Sequence, residues 1–196
     1  MSADKIYLTL KKHLTKKEVA IVLVTASIRN YRDISLAVVK YFVNERKHPG
    51  IYVTTNQPYP TLQEQIRQEG VDPDKIIFID AITGLSGMAV EREAHCFYLK
   101  SPQNLTDLSI ALTEAISAIS TKEKFLIFDS LSTLLIYNPP ETVAKFLHFL
   151  VSKMRMWAVE GIILTVEKDI DRQLLSQVFK FFDVVIDLTQ KEAHGQ

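Results

Sequence analysis

Two carboxylates stand at the ends of apolar runs. Asp80 closes KIIFID (Lys75–Asp80) and Asp129 closes KFLIFD (Lys124–Asp129), with Ser130 and Ser132 just beyond. If these runs are parallel strands, their carboxyl ends border the crevice where ligands gather, and either aspartate is placed to meet a cation. Two carboxylates alone are a poor magnesium site, because Mg²⁺ is usually held together with substrate phosphates. The phosphates would have to sit at VLVTASIRNYRDISLAVVKYF (Val22–Phe42), where a strand passes through a short loop into a helix. A phosphate cradle there needs glycines, so that consecutive backbone N–H groups can wrap the anion. It also needs a lysine for the terminal phosphates and a hydroxyl for Mg²⁺. In register on the expected helix start, Ser27 and Arg32 take the glycine positions, Asp33 the lysine position and Ile34 the hydroxyl position. All four requirements are missing, and the Asp33 carboxylate would repel a triphosphate. Asp33 suits a helix cap instead, a role worth about 0.5–2 kcal/mol.

The remaining polar candidates divide the same way. Arg29 and Arg32 have the bidentate geometry for an anion, against a reading in which they are solvated and paired with Asp33 or Glu64. Asp129 has a structural role open to it, accepting backbone N–H bonds from Ser130 to Ser132 in an Asx-type turn. Asn56 and Gln57 follow the run GIYVTT (Gly50–Thr55). Neutral amides accept hydrogen bonds but take no proton at neutral pH. His95 adjoins the single cysteine, Cys96, yet a zinc site wants more ligands at spacings the chain lacks. No G-x-S-x-G elbow is present. No catalytic residue and no metal site are therefore assigned.

The elements that must position these residues are legible as periodicity. Six apolar runs read as strands: Val19–Thr25, Gly50–Thr55, Lys75–Asp80, Lys124–Asp129, Gly161–Val166 and Asp183–Leu188. They are continuous rather than alternating, as expected of parallel strands covered on both faces. DISLAVVKYFVNERK (Asp33–Lys47) and ETVAKFLHFLVSKMRMWAVE (Glu141–Glu160) have helical spacing, and Pro139 and Pro140 fit the start of the second. Strand and helix in alternation predict an α/β fold, a three-layer αβα sandwich with a mainly parallel central sheet. One domain is expected over residues 1–196, with an N-terminal extension at 1–18 and a long connection at Ala81–Asn104. Connections of that length are usually functional or interfacial. Loops at Val24–Arg32, Ala81–Asn104 and Asp129–Pro140 are expected to face one crevice.

Lys plus Arg number 23 and Asp plus Glu 23, so the formal net charge is +0 and there is no electrostatic footprint for nucleic acid. No apolar run is long enough to span a membrane, the first residues lack the apolar core of a signal peptide, and one cysteine fits a reducing cytoplasm. A chain without net charge, with a broad apolar helix at Glu141–Glu160 and phenylalanines at 179, 181 and 182, favours self-association. A closed dimer is the commonest form.

KFLIFDSLSTLLIYN (Lys124–Asn138) resembles the Walker B strand of the RecA/KaiC-like ATPases, which implies for Asp129 a part in holding Mg²⁺. GIYVTTNQPYPTLQEQIRQEGVD (Gly50–Asp72) is similar to their second strand and the helix after it. Asn56 and Gln57 stand where that family carries the glutamate pair that activates water. SLAVVKYF and GIILTVEK resemble the helix after the P-loop and the fifth strand, so the likeness runs from about Val19 to Leu188. The order of SPQNLTDLSIALTEAI, FDSLSTLLIYN, KFLHFLVSKMR and FDVVIDL is similar to a group of small archaeal relatives in which the Walker A motif is eroded. The resemblance implies a RecA-like P-loop NTPase fold with a degenerate phosphate loop (Ser27, Arg29, Arg32, Asp33, Ile34), a Walker B-like pair (Asp129, Ser130) and a crevice bearing Asn56, Gln57 and Asp80. The family's rings and filaments imply assembly. The expected function is a catalytically silent regulatory or scaffold protein acting through self-association or a protein partner, without a cofactor. The alternatives are a divergent ATPase using ATP and Mg²⁺, and a receptor for a small ligand or anion.

Overall fold

Continuous Val, Ile, Leu and Phe can form strands only where helices cover both faces of the sheet, and the chain is built that way. The computed structural model describes residues 3–14, 20–87, 93–166 and 177–189. Seven strands, β1 Ile21–Ala26, β2 Gly50–Thr54, β3 Ile76–Asp80, β4 Cys96–Tyr98, β5 Phe125–Asp129, β6 Glu160–Val166 and β7 Val184–Leu188, form one sheet. Its order is β4-β3-β2-β5-β6-β1-β7 and every pairing is parallel. Helices α1 Ala3–Leu14, α2 Tyr31–Lys40 and α3 Tyr59–Gln68 supply one core layer, packed on Val22, Tyr52, Phe78, Phe125 and Ile127. Helices α4 Leu105–Ala118, α5 Leu131–Tyr137 and α6 Pro140–Met156 supply the other, on Leu23, Val53, Ile79 and Phe128.

All six expected strands are present; Val19, the first residue of the first run, lies outside the described residues. The long connection needs correcting, because it contains β4, which pairs with β3 and forms one edge of the sheet. Residues 88–92 of it lie outside the described residues. Ahead of β4, Gly84 lies so close to Leu99 and Lys100 that a Cβ would fall 2.2 Å from the Leu99 carbonyl oxygen. Only glycine allows that approach. The expected loop Asp129–Pro140 is mostly helix α5, capped by Ser130, whose Oγ accepts from the Thr133 N–H at 3.3 Å. Helix α2 begins at Tyr31 and continues through a π-helical turn at Tyr41–Glu45. The first residues are more than an extension: α1 lies against α2 and β7, with Leu14 buried and Tyr7 set edge-on to Tyr41. The Phe-rich segment leads to an edge strand, β7.

One charged group is buried at the amino end of β6. The Glu160 side chain is 3% exposed and its nearest cation is Arg46, 3.7 Å away. Burial pushes its carboxyl up from the ordinary 4.5 to about 7, with the Arg46 charge offsetting only part of the effect. Folded protein therefore binds this proton more tightly than the unfolded chain. The associated stability is fully present below pH 4.5 and is lost as pH rises through about 7. Glu160→Gln stays neutral and escapes that loss. Its stability relative to wild type is expected to climb by about 3 kcal/mol across this window, read from urea titrations at a series of pH values. A constant difference would show that Glu160 ionises as freely in the folded protein as in the unfolded one.

Candidate functional site

Parallel strands put β5 and β2 side by side with Asp129 opposite Thr54 and Ile127 opposite Tyr52. Side chains two residues apart share a sheet face, so the ring of Tyr52 lies diagonally from Asp129 and its hydroxyl reaches Oδ2. From the other side Tyr31, the first residue of α2, crosses the end of β6 and donates its hydroxyl to Oδ1. Asn56, just past β2, donates Nδ2 to the same oxygen at 2.6 Å, contacts the Tyr31 hydroxyl at 3.1 Å and accepts from Thr133 Oγ1. The main chain is tied in as well. The Asp129 carbonyl accepts from Thr55 N at 2.7 Å and Thr55 Oγ1 at 3.0 Å, and the Ser130 N–H donates to that Oγ1 at 2.9 Å. The peptide bond between Asp129 and Ser130 is cis.

Asp129 is 1% exposed. Burial raises its carboxyl above the ordinary range, and the hydrogen bonds from Tyr31, Tyr52 and Asn56 work in the opposite direction. The phenols of Tyr31 and Tyr52 are held well above their usual range by burial and by the carboxylate, so they remain donors. Their arrangement stabilises one buried negative charge. A cation approaching Asp129 would have to displace these donors.

The phosphate-loop positions are committed in part. Between β1 and α2 lie only Ser27–Asn30. Asn30 Oδ1 accepts from Ser27 N at 2.9 Å and Ser27 Oγ at 2.8 Å, the Asn30 N–H returns to the Ser27 carbonyl at 3.2 Å, and Asn30 Nδ2 donates to Leu188 O at 2.8 Å. Two of the four turn amides, those of Ser27 and Asn30, are thus used within the turn. The cap position belongs to Asn30, not Asp33 as expected. Asp33 lies in the first turn of α2, exposed, where a carboxylate favours the helix dipole. Ile34 is a core residue. Arg29 and Arg32 are exposed, and among the described residues neither pairs with Asp33 or Glu64, since Glu64 holds Arg67 at 3.0 Å.

The structure also separates residues that the sequence grouped. Asp80 and Asp129 stand two strands apart, about 10 Å by sheet spacing. Asp80 is fully buried and satisfied: Oδ1 accepts from the N–H groups of Ile82 and Thr83, each at 2.9 Å, and Oδ2 from Tyr59 N at 2.7 Å and Thr83 Oγ1 at 2.6 Å. It pins α3 and the turn after β3. Among the described residues no three metal-ligating side chains gather. Gln57 turns from Asn56 toward Gln65, Nε2 to Oε1 at 3.4 Å. Cys96 is buried, and burial pushes its thiol up to about 12. The expected Asx turn at Asp129 is replaced by the side-chain donors. Sequence reading missed Tyr31, Tyr52, Thr55 and Thr133. The available signal was Tyr52, a phenol inside a buried apolar strand, which needs a partner.

A family model described as "Family of unknown function (DUF7504)" matches residues 22–188. No curated protein matches the chain in sequence. Among solved structures, the KaiC-like protein PH0186 of the hyperthermophilic archaeon Pyrococcus horikoshii OT3 is similar at TM-score 0.63 and 17% identity, over 89% of this chain and 74% of that one. The uncharacterized protein PH0321 of Pyrococcus horikoshii, solved in complex with an unknown peptide, is similar at TM-score 0.63 and 15% identity, over 91% and 81%. The chain has a RecA/KaiC-like fold.

Tyr52→Phe removes one donor from the buried carboxylate without changing the shape of the ring. It is expected to cost about 1–3 kcal/mol in urea unfolding, with a smaller additional loss when Asp129→Asn is already present. Equal losses in both backgrounds would mean that the phenol stabilises the fold through its ring alone.

Proposed function

We propose that this chain, which belongs to the DUF7504 family of unknown function, is a catalytically silent RecA-like domain that serves as a regulatory or scaffold module. The observation that carries the reading is the occupancy of Asp129 by Tyr31, Tyr52 and Asn56. In a working nucleotide site that carboxylate would share a cation with phosphate oxygens. Here protein donors take up both of its oxygens, and the β1–α2 turn offers no lysine and uses the Ser27 and Asn30 amides internally. Asn56 and Gln57 hold no proton-accepting carboxylate for activating water. Calorimetry with Mg-ATP at millimolar concentration is expected to show no saturable heat, and Mg²⁺ to leave the melting temperature unchanged. Saturable Mg-ATP binding that survives Tyr31→Phe would overturn the reading, because it would require a second phosphate cradle.

Without nucleotide chemistry the surface has to carry the function. Phe149 and Met156 lie two turns apart on the outer side of α6, 40% and 76% exposed. The segment before β7 packs beside that helix through His148 against Phe181 and through Arg155 to the Phe181 carbonyl at 2.9 Å. Phe179, 40% exposed, extends the same flank, and apolar exposure of this kind favours a protein contact. The peptide held by PH0321 adds support for a polypeptide partner. A second copy of the chain is the first candidate. Buried, unpaired Cys96 fits a cytoplasmic setting, and among the described residues no helix is long and apolar enough to cross a membrane.

Light scattering after size exclusion at micromolar protein is expected to give a dimer, and Phe149→Asp with Met156→Asp to return it to a monomer. A monomeric wild type across the micromolar range would remove self-association and leave a different protein as the partner.

A further inference from the structure

Three loops meet at the amino ends of β2, β5 and β6, neighbours in the sheet, at the opposite end from Asp129. They border an open cavity of about 240 Å³ lined by Arg46, His48, Lys122, Glu123, Ala158 and Glu160 among others. Two buried polar atoms of its lining, Glu160 Oε1 and His48 Nδ1, have no hydrogen-bond partner among the described residues. Arg46 Nη2 is 3.7 Å from the other Glu160 oxygen, and its Nη1 is committed to the Tyr41 hydroxyl at 3.2 Å. Lys124 is bound to the Ile119 carbonyl at 2.6 Å. The backbone is strained at this cavity too: Lys47 at φ 58 and Ala158 at φ 52, both non-glycine, hold left-handed conformations in two of the three loops.

Buried polar atoms without partners are rare enough to require a cause, and two in one cavity call for a group supplied from outside. Glu160 Oε1 is an acceptor and needs a donor, best a charged one. Burial and the Arg46 charge keep the His48 imidazole neutral against the smaller pull of Glu123, so its ring can accept as well. A bare metal ion is a poor match, since no three ligating side chains gather among the described residues and Arg46 lies alongside. Arg46 and exposed Lys122 ask for an anion at the rim. The volume lies below that of drug-sized sites.

We propose that this cavity binds a small α-amino acid as its zwitterion, with the ammonium on Glu160 Oε1 and His48 Nδ1 and the carboxylate toward Arg46 and Lys122. The site is independent of the nucleotide crevice. The probes are the individual L-amino acids at millimolar concentration, with acetate and methylammonium as half-ligands, followed by ligand-observed NMR and calorimetry on the full chain. At least one amino acid is expected to bind saturably and more tightly than either half-ligand. Glu160→Gln is expected to weaken it by about tenfold or more. Lys122→Ala, at an exposed position that leaves the fold intact, is expected to weaken it as well. No saturable binding to folded wild type overturns the proposal, and so does an affinity that neither substitution changes.

Discussion

A carboxylate taken out of water loses several kcal/mol of hydration unless other donors replace it, and at Asp129 the neighbouring elements are arranged to replace it. The constraint reaches four of them. β2 must carry a tyrosine at 52, placed by strand register to reach diagonally to the carboxylate. α2 must begin with a tyrosine at 31, which fixes the β1–α2 turn at four residues, since a longer turn would carry the phenol away. The stretch after β2 must bring an amide at 56, and α5 must hold that amide with Thr133. The same hydrogen bonds that keep the sheet end together also occupy both oxygens of the carboxylate.

The fold was legible because its signal is local. A continuous apolar run of five or six residues announces a strand covered on both faces, and six of the seven strands read that way. β4 did not, because three residues within a long polar connection leave no periodicity to detect; its partner, β3, makes it a strand. The start of α2 was misplaced for a related reason. Asp33 and Asn30 have equal cap chemistry in isolation, but Asn30 is held by Ser27 on one side and by the Leu188 carbonyl on the other. The latter contact spans most of the chain.

The candidate site was half legible. Asp129, Ser130 and Asn56 were singled out by their position at or just after a strand. Their partners were not found. Tyr31 and Tyr52 meet Asp129 across 98 and 77 residues, and a periodicity argument has no access to pairings at that range. Propensity alone makes Tyr52 one more β-forming residue; only the register shows that its hydroxyl faces an acid.

The two buried acids of the central strands show where the molecule is finished and where it is open. Asp129 ends β5 with donors on both oxygens, whereas Glu160 begins β6, the adjacent strand, with one oxygen unpartnered and an arginine beyond hydrogen-bond reach of the other. In open parallel sheets ligands ordinarily collect at the carboxyl ends of the strands. At that end the Asp129 carboxylate is taken up by the chain's own side chains. Among the described residues, the buried side-chain atoms without partners and the non-glycine left-handed residues lie at the amino ends instead. Unmet hydrogen-bonding capacity destabilises a fold wherever it sits, so its concentration in one cavity is the physical reason to look for binding there.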